Sequence, residues 1–254
     1  MTTRNRVRWS PVSSPSARAR QPGVWAAVAI LSVIGVVAIG APLLAPYDPS
    51  RLLDPATLRS ASPSWRHPLG TDPLSRDILS RLMFGARTSL VLAASAVGVA
   101  TFIGVLVGSL SAYLGGGFDR LIMRSVDVAL SVPRLVVLLL FASLWGPSSV
   151  ATLALVVGAT GWMGVSRLVR GEVQRVLHMD HVVALRALGV TRWRLWWKHL
   201  LPSTFPIVAL SISMGLGHVL LLESGLSFLG VGVPVSVPSW GPVLLDVSEV
   251  IGPS

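Results

Sequence analysis

The chain contains no cysteine. A disulfide framework, a zinc–thiolate site and a thiol nucleophile are therefore excluded. Charge is scarce as well. Asp, Glu, Lys and Arg make up 13% of the 254 residues, against roughly 25% in an ordinary soluble domain. Hydrophobic residues reach 52% and the mean hydropathy is +0.69. A soluble fold would have to cover its surface with too few charges, and a disordered chain is further still from this composition. Lysine is almost missing: Lys198 is the only one among 21 cations. A Walker A loop needs Gly-x-x-x-x-Gly-Lys to hold phosphates, and Lys198 follows Trp197, so this chain does not bind ATP in that way. No Gly-x-Ser-x-Gly elbow is present. His178 and His181 flank Asp180, which amounts to half a metal site. No catalytic, cofactor-binding or metal-binding residue is expected, and the chain does not read as an enzyme.

What the chain does have is long apolar runs with cations at their ends. The formal net charge is +10. The runs are too long for a nucleic-acid module, so the cations are topology charges and no nucleic-acid partner is expected. A bilayer core takes about 20 apolar residues in a helix. The first run is 24–45, preceded by Arg4, Arg6, Arg8, Arg18 and Arg20 and no acid. That pattern predicts a cytoplasmic tail over 1–23 and a retained first span over 24–45. Residues 46–87 carry six Arg and four Asp. They read as an extracytoplasmic loop that ends in an amphipathic helix on the membrane surface, with Ile78, Leu79, Leu82 and Met83 on its apolar face.

The core follows, over 88–254. Its second run is Thr88–Leu114, with Gly98, Gly104 and Gly108 inside it; small residues let helices approach closely in lipid. Gly115, Gly116 and Gly117 end it. The stretch from Leu121 to Ser166 is too long for one span, and Trp145 to Ser149 divides it into expected spans at 122–144 and 149–166. Asp127 and Arg134 share a face of the first, with Arg124 the closer partner of Asp127. The last run is Leu200–Leu222. With the N-terminus inside, the short outside loops hold no cation, as the positive-inside rule requires. Five spans then put the C-terminus outside. Asp, Glu and His are nearly absent from the span interiors, which argues against a proton-driven carrier.

Within the polar segment 167–202, Asp180 is placed to cap a short helix and Gly189 to end it in the left-handed conformation. The next stretch has Trp193, Trp196, Trp197 and Leu200 at i, i+3, i+4 and i+7, beside Arg192, Arg194 and Lys198. It reads as an interfacial helix, with Trp in the headgroups and cations on anionic lipid. Together the two helices form a stiff lever tied to the last span.

Ala184-Leu185-Arg186-Ala187-Leu188-Gly189, ending in Lys198-His199-Leu200-Leu201-Pro202, resembles the EAA loop of bacterial ABC importer permeases. His67-Pro68-Leu69-Gly70-Thr71-Asp72, with Ser75-Arg76-Asp77-Ile78-Leu79-Ser80-Arg81-Leu82 and Phe84-Gly85-Ala86-Arg87, is similar to the signature of the dipeptide/oligopeptide/nickel permease group, C-type subunit. Gly115 to Asp127, and Glu223 to Gly230 with Pro238-Ser239-Trp240-Gly241, match in the same order. The resemblance implies an all-α polytopic bundle of the type I importer permease kind. It implies a bacterial inner-membrane permease subunit for peptides or related small solutes. The expected partners are a B-type permease, two ATPase subunits that hold ATP and Mg, an extracytoplasmic solute-binding protein and membrane lipid. Asp180, Val183, Ala184, Leu185, Arg186, Leu188, Gly189, Leu201 and Pro202 would form the ATPase-coupling loop. Asp72, Arg76, Asp77, Glu223 and Trp240 would form the outer gate or meet the binding protein. Glu223 taken alone reads as a solvated acid at a span boundary. Val183 and Leu185 replace the Glu and the second Ala of the family's triplet. The family also continues into a sixth span beyond the region that ends here at Ser254. The alternative is thus a truncated, non-transporting scaffold derived from such a permease.

Overall fold

The computed structural model describes residues 22–54, 57–145, 149–234 and 236–251. Most of the expected tail, and residues 146–148 of the expected break, lie outside the described residues. Among the described residues the regular structure is helical, with one isolated antiparallel bridge between Thr71 and Asp77. The helices are α1 (Pro22–Leu44), α2 (Ile78–Leu114), α3 (Gly116–Ser131), α4 (Arg134–Trp145), α5 (Val150–Ala159), α6 (Trp162–Leu177), α7 (Asp180–Ala187), α8 (Arg192–Leu195), α9 (Leu201–Ser203), α10 (Phe205–Phe228) and α11 (Trp240–Ile251). A π-helical turn, Trp196–Leu200, joins α8 to α9.

Three helices, α1, α2 and α10, are each long and apolar enough to cross a membrane, and the count rises to five if α3–α4 and α5–α6 each make one broken span. α1 buries Ala38 and Ala41 and leaves Val24, Trp25, Ile30, Leu31 and Leu43 exposed. So apolar a helix with so little protein around it needs lipid. α2 is the axis of the bundle and packs against α1, α5, α6, α10 and α11. One core cluster, built on Leu92, Ala96, Leu138, Val157 and Val219, fills the bundle around the first half of α2. A second, built on Val169, Val173, Val182, Leu195, Trp196 and Leu200, sits near its Leu114 end.

Three expectations are corrected here. The amphipathic surface helix does not exist as a separate element. Asp77 caps α2 by accepting from Ser80 N at 2.9 Å, and the helix then runs unbroken to Leu114. Its 37 residues rise about 55 Å, well beyond a hydrocarbon core of about 30 Å. The polar face of its first turns is the buried one: Arg81 is 2% exposed and Leu82 40%. Arg81 pairs with Asp72 and Asp246 at 3.4 Å, and burial of a charge is tolerated only with such partners.

The spans expected at 122–144 and 149–166 are also not straight. α3 and α4 meet at 77°, α5 and α6 at 42°. Pro133 lacks an N–H and biases the residue before it away from helix, and Val132 is extended, with φ −87° and ψ 127°. At the second break, Thr160 Oγ1 donates back to Val156 O at 2.9 Å. Third, the ion-pair partner of Asp127 is neither Arg124 nor Arg134. Arg167 of α6 pairs with it in an exposed bridge, while Arg134 reaches Thr160 Oγ1 at 3.3 Å and Val157 O. Arg134 thus donates at the bend to Val157 O, a carbonyl that Thr160 Oγ1 also reaches at 3.2 Å.

Candidate functional site

Two regions gather the predicted residues, one at each end of α2. At the Leu114 end, Gly115 and Gly116 take φ +65° and +61° and turn the chain into α3. Asp119 then accepts from Ser111 Oγ at 2.6 Å and from both Arg170 Nε, at 2.6 Å, and Arg170 Nη2, at 2.5 Å. This two-point clasp locks α3 onto α6. α6 leads into α7, whose Val182 is fully buried in the second core cluster. Val183, Ala184, Arg186, Leu188 and Gly189 point outward, with Val183 53% and Leu188 80% exposed. Gly189 has φ +79°, the left-handed position expected of it, and the N–H groups of Gly189 and Val190 close the helix end on Arg186 O and Leu185 O.

Other details of this lever differ from expectation. Asp180 makes no side-chain cap; the N-cap is Met179 and Asp180 stands in the first turn, where its charge suits the helix dipole. The Trp row is split rather than interfacial throughout. Trp196 and Leu200 are buried in the core, while Trp193 and Trp197 are exposed. Trp196 opens the π turn and packs with Val169, Val173 and Val176 of α6 in the second core cluster. Leu201 is half-buried and Pro202 exposed.

At the Ile78 end, the described residues between Tyr47 and Arg81 fold around buried polar groups. His67 Nδ1 lies 2.9 Å from Asp77 Oδ1, and Tyr47 stacks on the His67 ring at 4.9 Å. Asp72 accepts from Arg76 Nε at 2.6 Å and from the N–H groups of Leu74 and Arg76. Arg76 also reaches Asp246 of α11 at 3.5 Å. Asp72, Arg76 and Asp77 are all nearly inaccessible. They hold the loop in shape from inside and offer no side-chain surface to a partner. Gly70 has φ +78°, and a Cβ there would sit 2.4 Å from Ala61 O.

Glu223 is not a solvated boundary acid. It is 1% exposed and accepts from Ser89 Oγ of α2 at 3.2 Å, Ser227 Oγ at 3.2 Å and Ser239 Oγ at 3.0 Å. Ser89 Oγ in turn accepts from Trp240 N at 3.1 Å, and Trp240 Nε1 donates to Leu82 O at 3.3 Å. The carboxylate therefore knots α2, α10 and the start of α11 together. Glu223→Ala is expected to lower stability by about 2–4 kcal/mol, because three buried hydroxyls lose one acceptor. Glu223→Gln, which keeps an acceptor oxygen, should cost less than half of that. Thermal unfolding of the two variants in detergent measures the difference, and parent-like midpoints for Glu223→Ala would refute the knot.

Several of these residues carry no assigned role in the sequence reading: His67 and Arg81, the serines around Glu223, the Asp119–Arg170 clasp and Asp246. Ser89 sits in an apolar run, where nothing in the local pattern marks it. One signal was available: a lone acid in a 24-residue apolar helix with Ser227 one turn on demands donors from its neighbours. Among the described residues no group of His, Asp and Glu is placed to hold a metal.

The family described as binding-protein-dependent transport system inner membrane component matches residues 80–244. The dipeptide transport system permease protein DppC of Bacillus subtilis is 34% identical over 217 residues, covering 85% of this chain and 67% of that protein. The oligopeptide transport system permease protein OppC of the same organism is 34% identical over 219 residues, covering 85% and 70%. The glutathione transport system permease protein GsiD of Pectobacterium atrosepticum is 32% identical over 236 residues, covering 92% and 78%. The chain spans about two thirds of the length of the first curated relatives it matches, 66% for one from Brucella suis.

Proposed function

From the premise that this chain belongs to the binding-protein-dependent transport system inner membrane component family, which makes it a multi-pass component of the bacterial inner membrane, we propose that it is a permease subunit of an ATP-driven importer and not an enzyme. It forms half of the translocation pathway for peptides or related small solutes, with a B-type permease as the other half. The relatives named for dipeptide, oligopeptide and glutathione transport support that substrate class. The N-terminus lies in the cytoplasm and so does the Leu114 end of α2, in keeping with the seven cations of 167–200.

The observation that carries the proposal is α7. Its Val182 is anchored in the core while Val183, Ala184 and Leu188 stand free on the outer side. Free apolar side chains on a short helix, held rigidly by the body beneath, suit a groove in an ATPase subunit. Two such ATPases bind ATP and Mg and close on them. A push on α7 passes into the buried cluster it shares with α6 and the π turn, and Leu201 and Pro202 pass it to α10. Coupling requires that this contact differ in free energy between the inward- and outward-open states. At the other end, the buried Asp72, Arg76 and Asp77 shape the 46–87 loop so that exposed groups such as Trp65, Leu69 and Leu74 meet the solute-binding protein. Glu223 and Trp240 tie the outer gate.

Co-expression with the neighbouring permease and ATPase genes tests this. The expected result is a four-subunit complex whose ATP hydrolysis rises when the binding protein and a peptide are added. A chain that folds in detergent but captures no ATPase would overturn the proposal and leave a non-transporting scaffold.

A further inference from the structure

We propose that the chain carries a binding pocket for the phosphate group of an anionic phospholipid, set between the Leu114 end of α2 and the segment linking α7 to α8. The pocket encloses about 430 Å³ and is lined by Tyr113, Leu114, Arg186, Val190, Arg192 and Leu195. Two of these six residues are arginines and none is an acid. The ion pairs described on this half of the molecule are Asp127–Arg167, Asp119–Arg170 and Glu172–Arg175, which leave Arg186 and Arg192 without a carboxylate partner among the described residues. The sequence holds no acid between Asp180 and Glu223. Arg186 and Arg192 both line this cavity, and the planar forks of two guanidinium groups match the oxygens of one phosphate.

The backbone builds this pocket deliberately. Tyr113 Oη donates to Arg192 O at 2.9 Å, which pins the start of α8 to the last turn of α2. Gly189, with its positive φ, reverses the chain after α7 and brings Arg186 to the same cavity. Pinned backbone on both sides means that little ordering remains to be done when a ligand arrives.

Depth and neighbours select a lipid headgroup over a soluble phosphate. Tyr113 and Leu114 end an apolar span, where hydrocarbon gives way to headgroups. Leu114 is 60% exposed. Trp193 and Trp197 follow Arg192, stack at 6.1 Å, and are 67% and 55% exposed. Arg194 and Lys198 add two exposed cations to the same segment. Aromatic rings and cations at this depth bind anionic lipid, whereas a free phosphate would leave Leu114 and the Trp pair bare.

The test uses the full chain alone, so its outcome does not depend on the importer reading. The purified protein is mixed in detergent with equal phosphatidylglycerol and phosphatidylcholine, and bound lipid is counted by native mass spectrometry. Phosphatidylglycerol is expected to be retained in preference. Arg186→Gln and Arg192→Gln should each reduce that preference about fivefold, and the pair about thirtyfold. Arg120→Gln with Arg124→Gln, an equal loss of charge at exposed positions on α3, should leave it intact. The two single variants, each removing one exposed charge, keep the test valid if the double variant folds poorly. Absence of any preference in the parent overturns the proposal. So does an equal loss in the α3 pair, which would mark bulk charge. Displacement of the lipid by millimolar glycerol phosphate would overturn the lipid source and assign the pocket to a soluble phosphate.

Discussion

Gly108→Ala is expected to leave little folded protein after extraction, while Gly98→Ala, on the same helix, behaves as the parent does. A Cβ at Gly108 would stand 2.3 Å from Ser166 O and 3.0 Å from Ser166 C and Cα. These are backbone atoms of α6, so no side-chain rotation relieves the overlap; α2 and α6 must move apart along the most extensive helix pairing in the bundle. In lipid there is little hydrophobic drive to hold helices together, and close backbone approach supplies much of the attraction. Overpacking of this kind costs about 3 kcal/mol or more. A Cβ at Gly98 meets nothing within 4 Å, and its change should stay within about 0.5 kcal/mol. Gly104→Ala falls between, since its Cβ would meet Val165 Cβ at 2.7 Å and Trp162 O at 2.9 Å. Fluorescence-detected size exclusion after heating ranks the three, and a Gly108→Ala midpoint equal to that of Gly98→Ala would refute the packing account.

The second large effect falls on function. Leu188→Asp should reduce capture of the ATPase subunits by at least about thirtyfold while the membrane subunit still elutes as a single folded species. Leu188 is 80% exposed at the end of α7, so the isolated chain has no reason to resist the change. Docking would bury it in the partner's groove, where a carboxylate loses its water without gaining a counter-ion. Truncation or inversion of a central anchor of this sort costs 2 kcal/mol or more, which is about that factor. Val182→Asp is the contrasting case. Val182 is 0% exposed, so its substitution should destroy the fold before any question of coupling arises. A Leu188→Asp chain that still binds the ATPases and supports stimulated hydrolysis would sink the role given to α7.

The coupling lever illustrates how far local pattern reaches. Gly189 was legible because a helix that must stop needs a residue tolerant of positive φ, and that requirement is local. The exposure of Val183 and Leu188 and the burial of Val182 were not legible, because neighbouring small apolar residues on a short helix carry no periodicity strong enough to choose a face. Trp196 went inward for a reason invisible in spacing: Val169, Val173 and Val176 of α6 pack on that side of the row. Glu223 was misjudged by the same route. An acid at the end of an apolar run borders on water in one dimension, but three serines distant in the chain, or a turn away, surround it in three.

By itself the sequence determined that the chain is helical, that it belongs in a bilayer and which family it joins. Long charge-free runs have no other solvent, and motif order survives without any knowledge of packing. Tertiary structure alone decided where the spans bend, which of the α2 glycines touch a neighbour, and which charges are interior. Hydropathy measures how much a segment gains by leaving water, and it is blind to direction. Bends, close approaches and ion pairs such as Arg81 with Asp246 depend on atoms far apart in the chain, whose meeting no local pattern encodes.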